Sequence, residues 1–309
     1  MTGGNRGASQ HASWGQRIVV LIPYLWLAVF FLIPFLIVVK ISLSETAIAQ
    51  PPYTPRLDLE GGFAAIRDFL AALSLRNYAR LAADWLYLSS FLRSVWIALT
   101  SLLLLLLLGF PIAYAMARAP RRWQPVLFML IVLPFWTSFL IRIYAWMTIL
   151  QREGLLNQAL LALGIVDAPP VWISTDTAIY IGIVYTYLPF MVLPLYASLE
   201  KMDESLLEAA ADLGCTRWKS FWTVTAPLAL PGAIAGSLLC FIPIVGEFVI
   251  PDLLGGSGSL MIGQTLWTEF FGNKDWPAAS AVAVVLLFLL VVPLIVYQHL
   301  QARRLEGER

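Results

Sequence analysis

The chain has 309 residues, of which 60% are hydrophobic and 13% are charged, and its formal net charge is +1. A soluble globular domain of this composition would expose far more apolar surface than one core can bury, so an integral membrane protein is predicted. The nearly balanced charge excludes the basic excess that nucleic-acid-binding proteins use. Cys215 and Cys240 have no partners at metal-ligand spacing, so neither a disulfide framework nor a metal site is expected.

Apolar stretches long enough to cross a hydrocarbon layer of about 30 Å, which needs roughly 20 helical residues, recur along the chain. They lie near residues 18–41, 94–117, 125–150, 177–199, 228–250 and 278–298. We therefore predict an all-α integral membrane protein with six transmembrane helices. The six-span domain would cover residues 18–300, between an N-terminal tail of residues 1–17 and a C-terminal tail of residues 301–309.

The first apolar stretch could also be read as a secretion signal. Ala47-Ile48-Ala49 resembles a signal-peptidase site. The apolar run before it is longer than a typical signal, however, so an uncleaved first span is expected.

Lys and Arg residues in short connections predict which side of the membrane is cytoplasmic. The connection 118–125 carries Arg118, Arg121 and Arg122 and no acidic residue. It is therefore predicted to be cytoplasmic, together with both termini and the polar stretch 200–225. On the outer side, residues 61–92 and 152–164 have apolar residues at helical spacing, which predicts short amphipathic helices, the second ending at Gly164.

The polar stretch between the fourth and fifth predicted spans contains two short helices. Asp203 is a good N-cap for the first, which Gly214 ends. The second begins at Thr216, and Pro227 and Pro231 are expected to turn the chain towards the fifth span. An interfacial anchor is the simple alternative. Small residues and an acidic stripe favour docking into a protein groove over an anionic lipid surface.

The residues Glu208-Ala209-Ala210, followed by Gly214 and later by Leu230-Pro231, resemble the EAA loop of the membrane subunits of bacterial ABC importers. LPFWTSFLIRIYAWMTIL, GSLLCFIPIVGEFVIPDLLGG and DWPAASAVAVV are similar to the polyamine permeases of the binding-protein-dependent transport system inner-membrane component family. The resemblance extends over residues 90–300. Within the group, the sequence is more similar to the putrescine-type subunit than to the spermidine-type subunit.

The resemblance implies the type I ABC importer permease fold, in the bacterial inner membrane. It also implies a heterodimer with a second homologous permease subunit, two copies of an ABC ATPase, and a periplasmic or extracellular polyamine-binding protein. Residues 200–232 would contain the cytoplasmic coupling helix that docks into the ATPase. The expected coupling residues are Glu208, Ala209, Ala210, Gly214, Arg217 and Pro231.

The nucleotide-binding motif Gly-x-x-x-x-Gly-Lys-Ser/Thr does not occur in the sequence. The chain is therefore expected to bind no cofactor and to have no ATPase activity of its own. The resemblance implies that ATP and Mg are bound by the partner ATPase subunits.

Ionisable residues within predicted spans are costly and suggest function. Lys40 lies near the end of the first span and can extend to the interface. Glu247, in PIVGEFVIP, is predicted either to form an ion pair with Arg142 or to contact a polyamine ammonium group. The candidate substrate pathway comprises Glu247, Trp136, Tyr144, Trp146, Tyr185 and Asp252, with Tyr187 as a further aromatic. Interfacial anchoring is the alternative for the aromatic residues, and a loop cap is the alternative for Asp252.

Two other classes of protein are alternatives to an importer subunit. A self-sufficient secondary transporter or channel for an organic cation would usually show internal repeats, and no convincing repeat is present. An intramembrane enzyme would need a metal cluster or paired carboxylates within the spans, which the sequence lacks. The sequence therefore predicts the permease subunit of a polyamine importer, with putrescine favoured over spermidine.

Overall fold

A computed structural model of the chain describes residues 14–56, 62–256 and 258–307. Helices dominate these residues: α1 (Trp14–Leu27), α2 (Ile33–Ser42), α3 (Gly62–Ala71), α4 (Arg76–Ala83), α5 (Trp85–Arg118), α6 (Gln124–Val132), α7 (Phe139–Ile149), α8 (Leu155–Ala162), α9 (Asp176–Glu200), α10 (Ser205–Asp212), α11 (Arg217–Ser220), α12 (Ala226–Val245), α13 (Val249–Leu254), α14 (Ile262–Trp267) and α15 (Trp276–Gly307). Strands β1 (Glu45–Thr46) and β2 (Tyr53–Thr54) pair antiparallel, with Glu45 opposite Thr54. The described chain is thus helical apart from this small hairpin, which the all-α prediction missed.

Four helices of the described chain are long and apolar enough to span a membrane. They cover Val19–Ser42, Trp85–Arg118, Asp176–Glu200 and Arg217–Val245. Three of these correspond to the predicted spans at 18–41, 94–117 and 177–199. Helix α5 begins nine residues earlier than predicted and has 34 residues, about 50 Å at 1.5 Å per residue, so it is longer than a bilayer core.

The predicted third span, residues 125–150, is not one straight helix. Helix α6 continues through a 3₁₀ turn over Leu133–Trp136, and the chain then bends by 91° before Phe139–Ile149. Pro134 lacks a backbone N–H, and Thr137 and Ser138 have extended backbone dihedrals, so the helical hydrogen bonding stops here. If the two bent helical segments, Gln124–Trp136 and Phe139–Ile149, together form one membrane crossing, the described chain has five spans.

The predicted sixth span belongs to α15. Its apolar stretch Trp276–Val292 is shorter than the spanning helices, within a helix of 32 residues. Six spans are therefore not established by the described residues. Helix α15 also covers residues 301–307 of the predicted C-terminal tail. Helix α1 begins at Trp14, within the predicted N-terminal tail. The remaining residues of the two tails, 1–13, 308 and 309, lie outside the described residues.

The expected turn at Pro227 and Pro231 does not occur. Helix α11, a π-helical segment over Phe221–Thr225 and α12 form one helix from Arg217 to Val245. The wider π turn precedes Pro227, which then occupies a first-turn position of α12, where its missing N–H costs little. The predicted fifth span, residues 228–250, instead ends at Val245, and a break at residues 246–248 separates it from α13.

The chain divides into two compact units, and residues Ala82–Thr268 form the second. In this unit α5, α9 and α12 pack against one another. A Cβ atom at Gly109 of α5 would lie 3.1 Å from the Met191 side chain of α9, and one at Gly236 of α12 would lie 2.9 Å from the same side chain. Glycines thus let the three helices meet around Met191, as small residues do in membrane bundles.

The other unit contains the described residues up to Leu81 and from Glu269 onward. Asp275 organises its polar contacts: Oδ1 accepts hydrogen bonds from the Thr46 hydroxyl at 2.6 Å and from the backbone of Ala278 at 3.1 Å, which caps α15. Its Oδ2 atom accepts from Arg80 at 3.0 Å. Lys40 lies over the Tyr53 ring, with Nζ 4.1 Å from the centroid, so its charge meets an aromatic face.

Candidate functional site

Helix α10, at the centre of the predicted coupling loop, is capped at both ends by its own sequence. The Asp203 carboxylate accepts a hydrogen bond from the Ser205 N–H at 3.0 Å, and hydrogen bonding with Ser205 lowers the pKa of this carboxyl group. At the other end, Gly214 has a φ of +75° and the Cys215 N–H donates to the Ala210 carbonyl at 3.0 Å. This is a Schellman motif, so the predicted cap and the predicted glycine stop are both confirmed.

We name α10, the glycine corner and α11 (residues 205–220) the elbow. Large apolar side chains stand out from it: Leu213 is 84% exposed and Trp218 is 72% exposed. Such exposure beside charged residues is typical of a surface that another protein covers. Among the predicted coupling residues, Glu208, Ala209, Gly214 and Arg217 are exposed on the elbow, Ala210 is buried, and Pro231 lies apart from it in α12.

The elbow is attached to α5 at both of its ends. Arg118, the last residue of α5, forms an ion pair with Glu204, immediately before α10. Phe221, immediately after α11, meets Phe110 of α5 edge to face, with centroids 5.2 Å apart. The elbow is thus in contact with α5 through its two flanking residues, and the chain joins it to α9 and α12.

Glu247 is buried in the break between α12 and α13. Its Oε2 atom accepts a hydrogen bond from the Tyr187 hydroxyl at 2.7 Å. Its Oε1 atom accepts from the backbone N–H groups of Phe248 and Val249 at 3.1 and 3.0 Å. The carboxylate thus satisfies N–H groups that the helix break leaves without intrahelical partners.

The predicted ion pair between Arg142 and Glu247 is not formed; it is absent from the ion pairs of the described residues. Both Glu247 oxygens already have donors. Arg142 is buried in α7, and its guanidinium carbon lies 5.7 Å from the Phe135 ring centroid and 6.0 Å from that of Phe139. Its Nε and Nη1 atoms have no hydrogen-bond partner in the described chain. Arg142 lies in α7, beyond the 91° bend, and Pro134 marks the position of that bend in the sequence but not its direction.

The structure brings together only some of the predicted aromatic residues. Trp146 of α7 and Tyr185 of α9 meet edge to face, with centroids 5.4 Å apart. Trp136 is 74% exposed at the end of the 3₁₀ turn, and Tyr144 is exposed on α7. Among the described hydrogen bonds and ring contacts, none joins Trp136 or Tyr144 to Glu247, so these two residues stay predicted pathway residues without structural support.

Asp252 lies on the exposed side of α13, and Gln264 of α14 donates a hydrogen bond from Nε2 to its Oδ1 atom at 3.1 Å. Gln264 was not among the predicted site residues, and Tyr187 was not predicted to be the partner of Glu247. A Gln in an apolar helix is the signal that could have drawn attention to the first. The second joins residues 60 positions apart, and no local pattern indicates such a pairing.

Within the described residues, no group of three His, Cys, Asp or Glu side chains could hold a metal ion.

Comparison with known proteins identifies relatives over almost the whole chain. The chain is 38% identical over 285 residues to the spermidine/putrescine transport system permease protein PotB of Salmonella typhimurium (strain SL1344), covering 91% of this chain and 92% of that protein. It is 43% identical over 224 residues to PotB of Escherichia coli (strain K12), covering 72% and 81% of the two chains.

The fold is similar to that of a chain in the crystal structure of a bacterial alginate ABC transporter in complex with an alginate pentasaccharide-bound periplasmic protein. The TM-score is 0.66 at 16% sequence identity, over 94% of each chain. This similarity supports the helical permease fold of ABC importers.

A profile of the family described as binding-protein-dependent transport system inner membrane component matches residues 12–306. The match covers more than half of the chain. The chain therefore belongs to the binding-protein-dependent transport system inner membrane component family, whose members are the permease subunits of ABC importers.

Proposed function

We propose that this chain is the membrane subunit of an ATP-driven importer for a polyamine, either spermidine or putrescine. The observation that carries the proposal is its similarity, over nearly its full length, to permeases named for spermidine/putrescine transport. The resemblance to putrescine-type subunits favours putrescine, but the relatives that match most of the chain are named for both polyamines, so putrescine as the preferred substrate stays a prediction. Uptake by the reconstituted importer with each polyamine alone and in competition distinguishes the two substrates.

We propose further that the importer contains a second homologous permease subunit, two copies of an ABC ATPase with ATP and Mg, and an external polyamine-binding protein. Both termini of this chain and the elbow would lie in the cytoplasm, next to the ATPase. The exposed Leu213 and Trp218 support this placement, because a partner that covered them would bury large apolar surfaces.

Transport would begin when ATP binding closes the ATPase dimer and displaces the elbow. The chain joins α10 to α9 and α11 to α12, and the Arg118–Glu204 ion pair joins the start of the elbow to α5. The three core helices α5, α9 and α12 would therefore move with the elbow. Their movement would switch the substrate pathway between the subunits from inward-facing to outward-facing. A secondary transporter or channel for an organic cation is not favoured, since family members work with a separate ATPase.

The substitution Gly214→Asp tests the role of the elbow. An Asp at φ +75° and beside the predicted docking surface should leave the chain inserted but abolish copurification with the ATPase, or uncouple uptake from hydrolysis. Gly164→Asp is the matched control. Gly164 has a φ of +64° and ends α8 with the same hydrogen-bond pattern, and a Cβ atom added there would have no other atom within 4 Å, as at Gly214.

The two variants carry the same backbone strain and the same charge. If Gly214→Asp keeps normal ATPase association and ATP-driven uptake, the elbow is not the coupling element. If Gly164→Asp loses ATPase association to the same degree, the effect arises from helix-end strain and the docking proposal fails.

A further inference from the structure

The exposed side of α13 carries a carboxylate that no cation neutralises. Asp252 takes part in none of the ion pairs of the described residues. Its N–H donates to the Phe248 carbonyl at 3.0 Å, so Phe248 and Asp252 lie one helical turn apart on the same face. Asp252 and the residue before α13, Phe248, therefore share one side of this short segment.

The adjacent face of α14 repeats this arrangement. Gln264 and Trp267 are three residues apart and share a face of that helix. The Phe248 and Trp267 rings are stacked, with centroids 4.6 Å apart and planes 12° from parallel, while Gln264 bonds to Asp252. These four side chains thus form a continuous surface of carboxylate, amide and aromatic rings, which we name the α13–α14 strip.

The hydrogen bond to Asp252 decides the orientation of the Gln264 amide. An ionised carboxylate only accepts hydrogen bonds, so the NH₂ group of Gln264 must face Asp252 and the carbonyl oxygen must face away from it. This Oε1 atom is buried and receives no hydrogen bond in the described part of the chain. The strip therefore has an acceptor that lacks a donor, next to a negative charge that lacks a counter-charge.

Glu247 does not have this spare capacity. Tyr187 and the first N–H groups of α13 occupy both of its oxygens. Its position at the start of α13 holds that helix, and hence Asp252, in place. Of the two acidic residues in this region, Asp252 is the one whose carboxylate is open to a ligand.

We propose that the α13–α14 strip binds a primary ammonium group of the transported polyamine. The ammonium group takes the place of the Gln264 NH₂ group at Asp252 and donates to this carboxylate, and the Gln264 amide turns over so that its Oε1 atom accepts from the same ammonium group. It brings both the positive charge and the N–H donors that the strip lacks. The methylene chain next to the ammonium group lies along the stacked rings of Phe248 and Trp267, and Glu247 is a positioning residue. This assignment rests on the proposed polyamine transport.

The test uses the complete importer in proteoliposomes, supplied with saturating polyamine-loaded binding protein. Asp252→Asn removes the charge but keeps an oxygen that accepts from Gln264, so the variant should assemble and melt within about 2 °C of the wild type. Its uptake of spermidine and putrescine should fall at least tenfold. Gln264→Met keeps the side-chain length but removes both the amide oxygen and the NH₂ group that bonds to Asp252; it should lower uptake by a smaller factor, because the Asp252 charge remains.

Asp167→Asn is the control, because Asp167 is exposed in the segment between α8 and α9, outside the strip; its uptake should equal that of the wild type. Uptake by Asp252→Asn within twofold of the wild type would overturn the inference while leaving polyamine transport intact. A loss of uptake that is matched by a fall in melting temperature would also overturn it, since the contact would then be structural only. A wild-type importer that transports no polyamine would instead refute the proposed function itself.

Discussion

Glu247 illustrates how a membrane helix can break without leaving backbone groups unsatisfied. Helix α12 ends at Val245, and the N–H groups that begin α13 point to the Glu247 carboxylate. In an apolar environment an unsatisfied N–H group costs several kcal/mol, so a carboxylate that caps the next helix offsets part of the cost of its own burial. The Tyr187 hydroxyl donates a hydrogen bond to the other oxygen of the Glu247 carboxylate. The acidic residue is therefore first of all a structural cap.

Tyr187→Phe removes one donor from this buried carboxylate. We expect the free energy of unfolding to fall by about 1.5–3 kcal/mol, the usual range for a hydrogen bond to a charged group. Denaturant unfolding of the purified subunit in mixed micelles measures this. Tyr185→Phe is the control, since the Tyr185 ring meets Trp146 through a ring contact that the substitution preserves. Equal stability of the two variants would contradict the assigned role of Tyr187.

At the scale of elements, short helices depend on their caps, and long helices depend on close packing. Helix α10 has eight residues, too few to be stable alone, and it is stopped on each side by a local hydrogen-bond motif. Helices α9 and α12 are held by contacts at small residues. A Cβ atom at Gly232 of α12 would lie 2.4 Å from the Pro194 carbonyl oxygen of α9. The two kinds of element should respond to different perturbations.

The capping of α10 predicts a pH dependence. Because the pKa of Asp203 is lowered from 3.8 in the folded protein, the ionised carboxylate contributes to the stability of α10 above that value. The contribution is lost as the pH falls through the lower, folded pKa. A carbon-13 NMR titration of labelled aspartate should show a midpoint below 3.8 for this residue. Ser205→Ala should restore only the smaller part of the shift, because the backbone donor remains. A midpoint that is not lowered would show that the cap does not form.

Gly232→Ala tests the packing of the long helices. The added methyl group would overlap the Pro194 carbonyl and the Ser198 hydroxyl, so α9 and α12 must separate. Overpacking of this kind costs about 1–3 kcal/mol. The same unfolding measurement should show this loss, whereas Gly258→Ala, where no atom lies within 4 Å of the added Cβ, should not. An unchanged Gly232→Ala variant would mean that the two helices pack less closely than described.

At the scale of the whole molecule, the chain leaves much apolar surface uncovered. The apolar window of the helix Val19–Ser42 has no buried residue, and Leu21 and Phe31 are 62% and 59% exposed. A surface of this kind must be covered by lipid or by another subunit. The elbow combines apolar side chains with charges, which suits a water-facing partner. The two surfaces therefore predict different environments for different parts of the same chain.

The two natural cysteines test this arrangement without any substitution. Cys215 on the elbow is partly exposed, and Cys240 is buried in α12. A membrane-impermeant maleimide should label Cys215 in inverted vesicles and not in right-side-out vesicles, and bound ATPase should protect it. Cys240 should stay unlabelled in both until the protein is unfolded, which provides an internal control. Labelling of Cys215 from the outside would reverse the predicted orientation.

Much of the local structure could be predicted from the sequence. Asp203 and Gly214 indicated the two ends of α10, and Gly164 indicated the end of α8. Each of these signals acts over about five residues or fewer, because a cap or a missing N–H affects only its own turn. The extra length of α5 was not predicted. The uninterrupted helix from Arg217 to Val245 was not predicted either, because Pro227 suggested a turn, and the π turn before it lets the helix continue.

The sequence by itself determined that this protein is a helical membrane protein with a polar, two-helix elbow, because composition and capping act through neighbouring residues; that the elbow is of the importer type came from its resemblance to a known family. Only the tertiary structure decided which groups meet across the bundle. It placed Tyr187 rather than Arg142 against Glu247, and it joined Asp252 to Gln264. These pairings depend on which faces of α9, α13 and α14 pack together, and no spacing within a single helix specifies how one helix faces another.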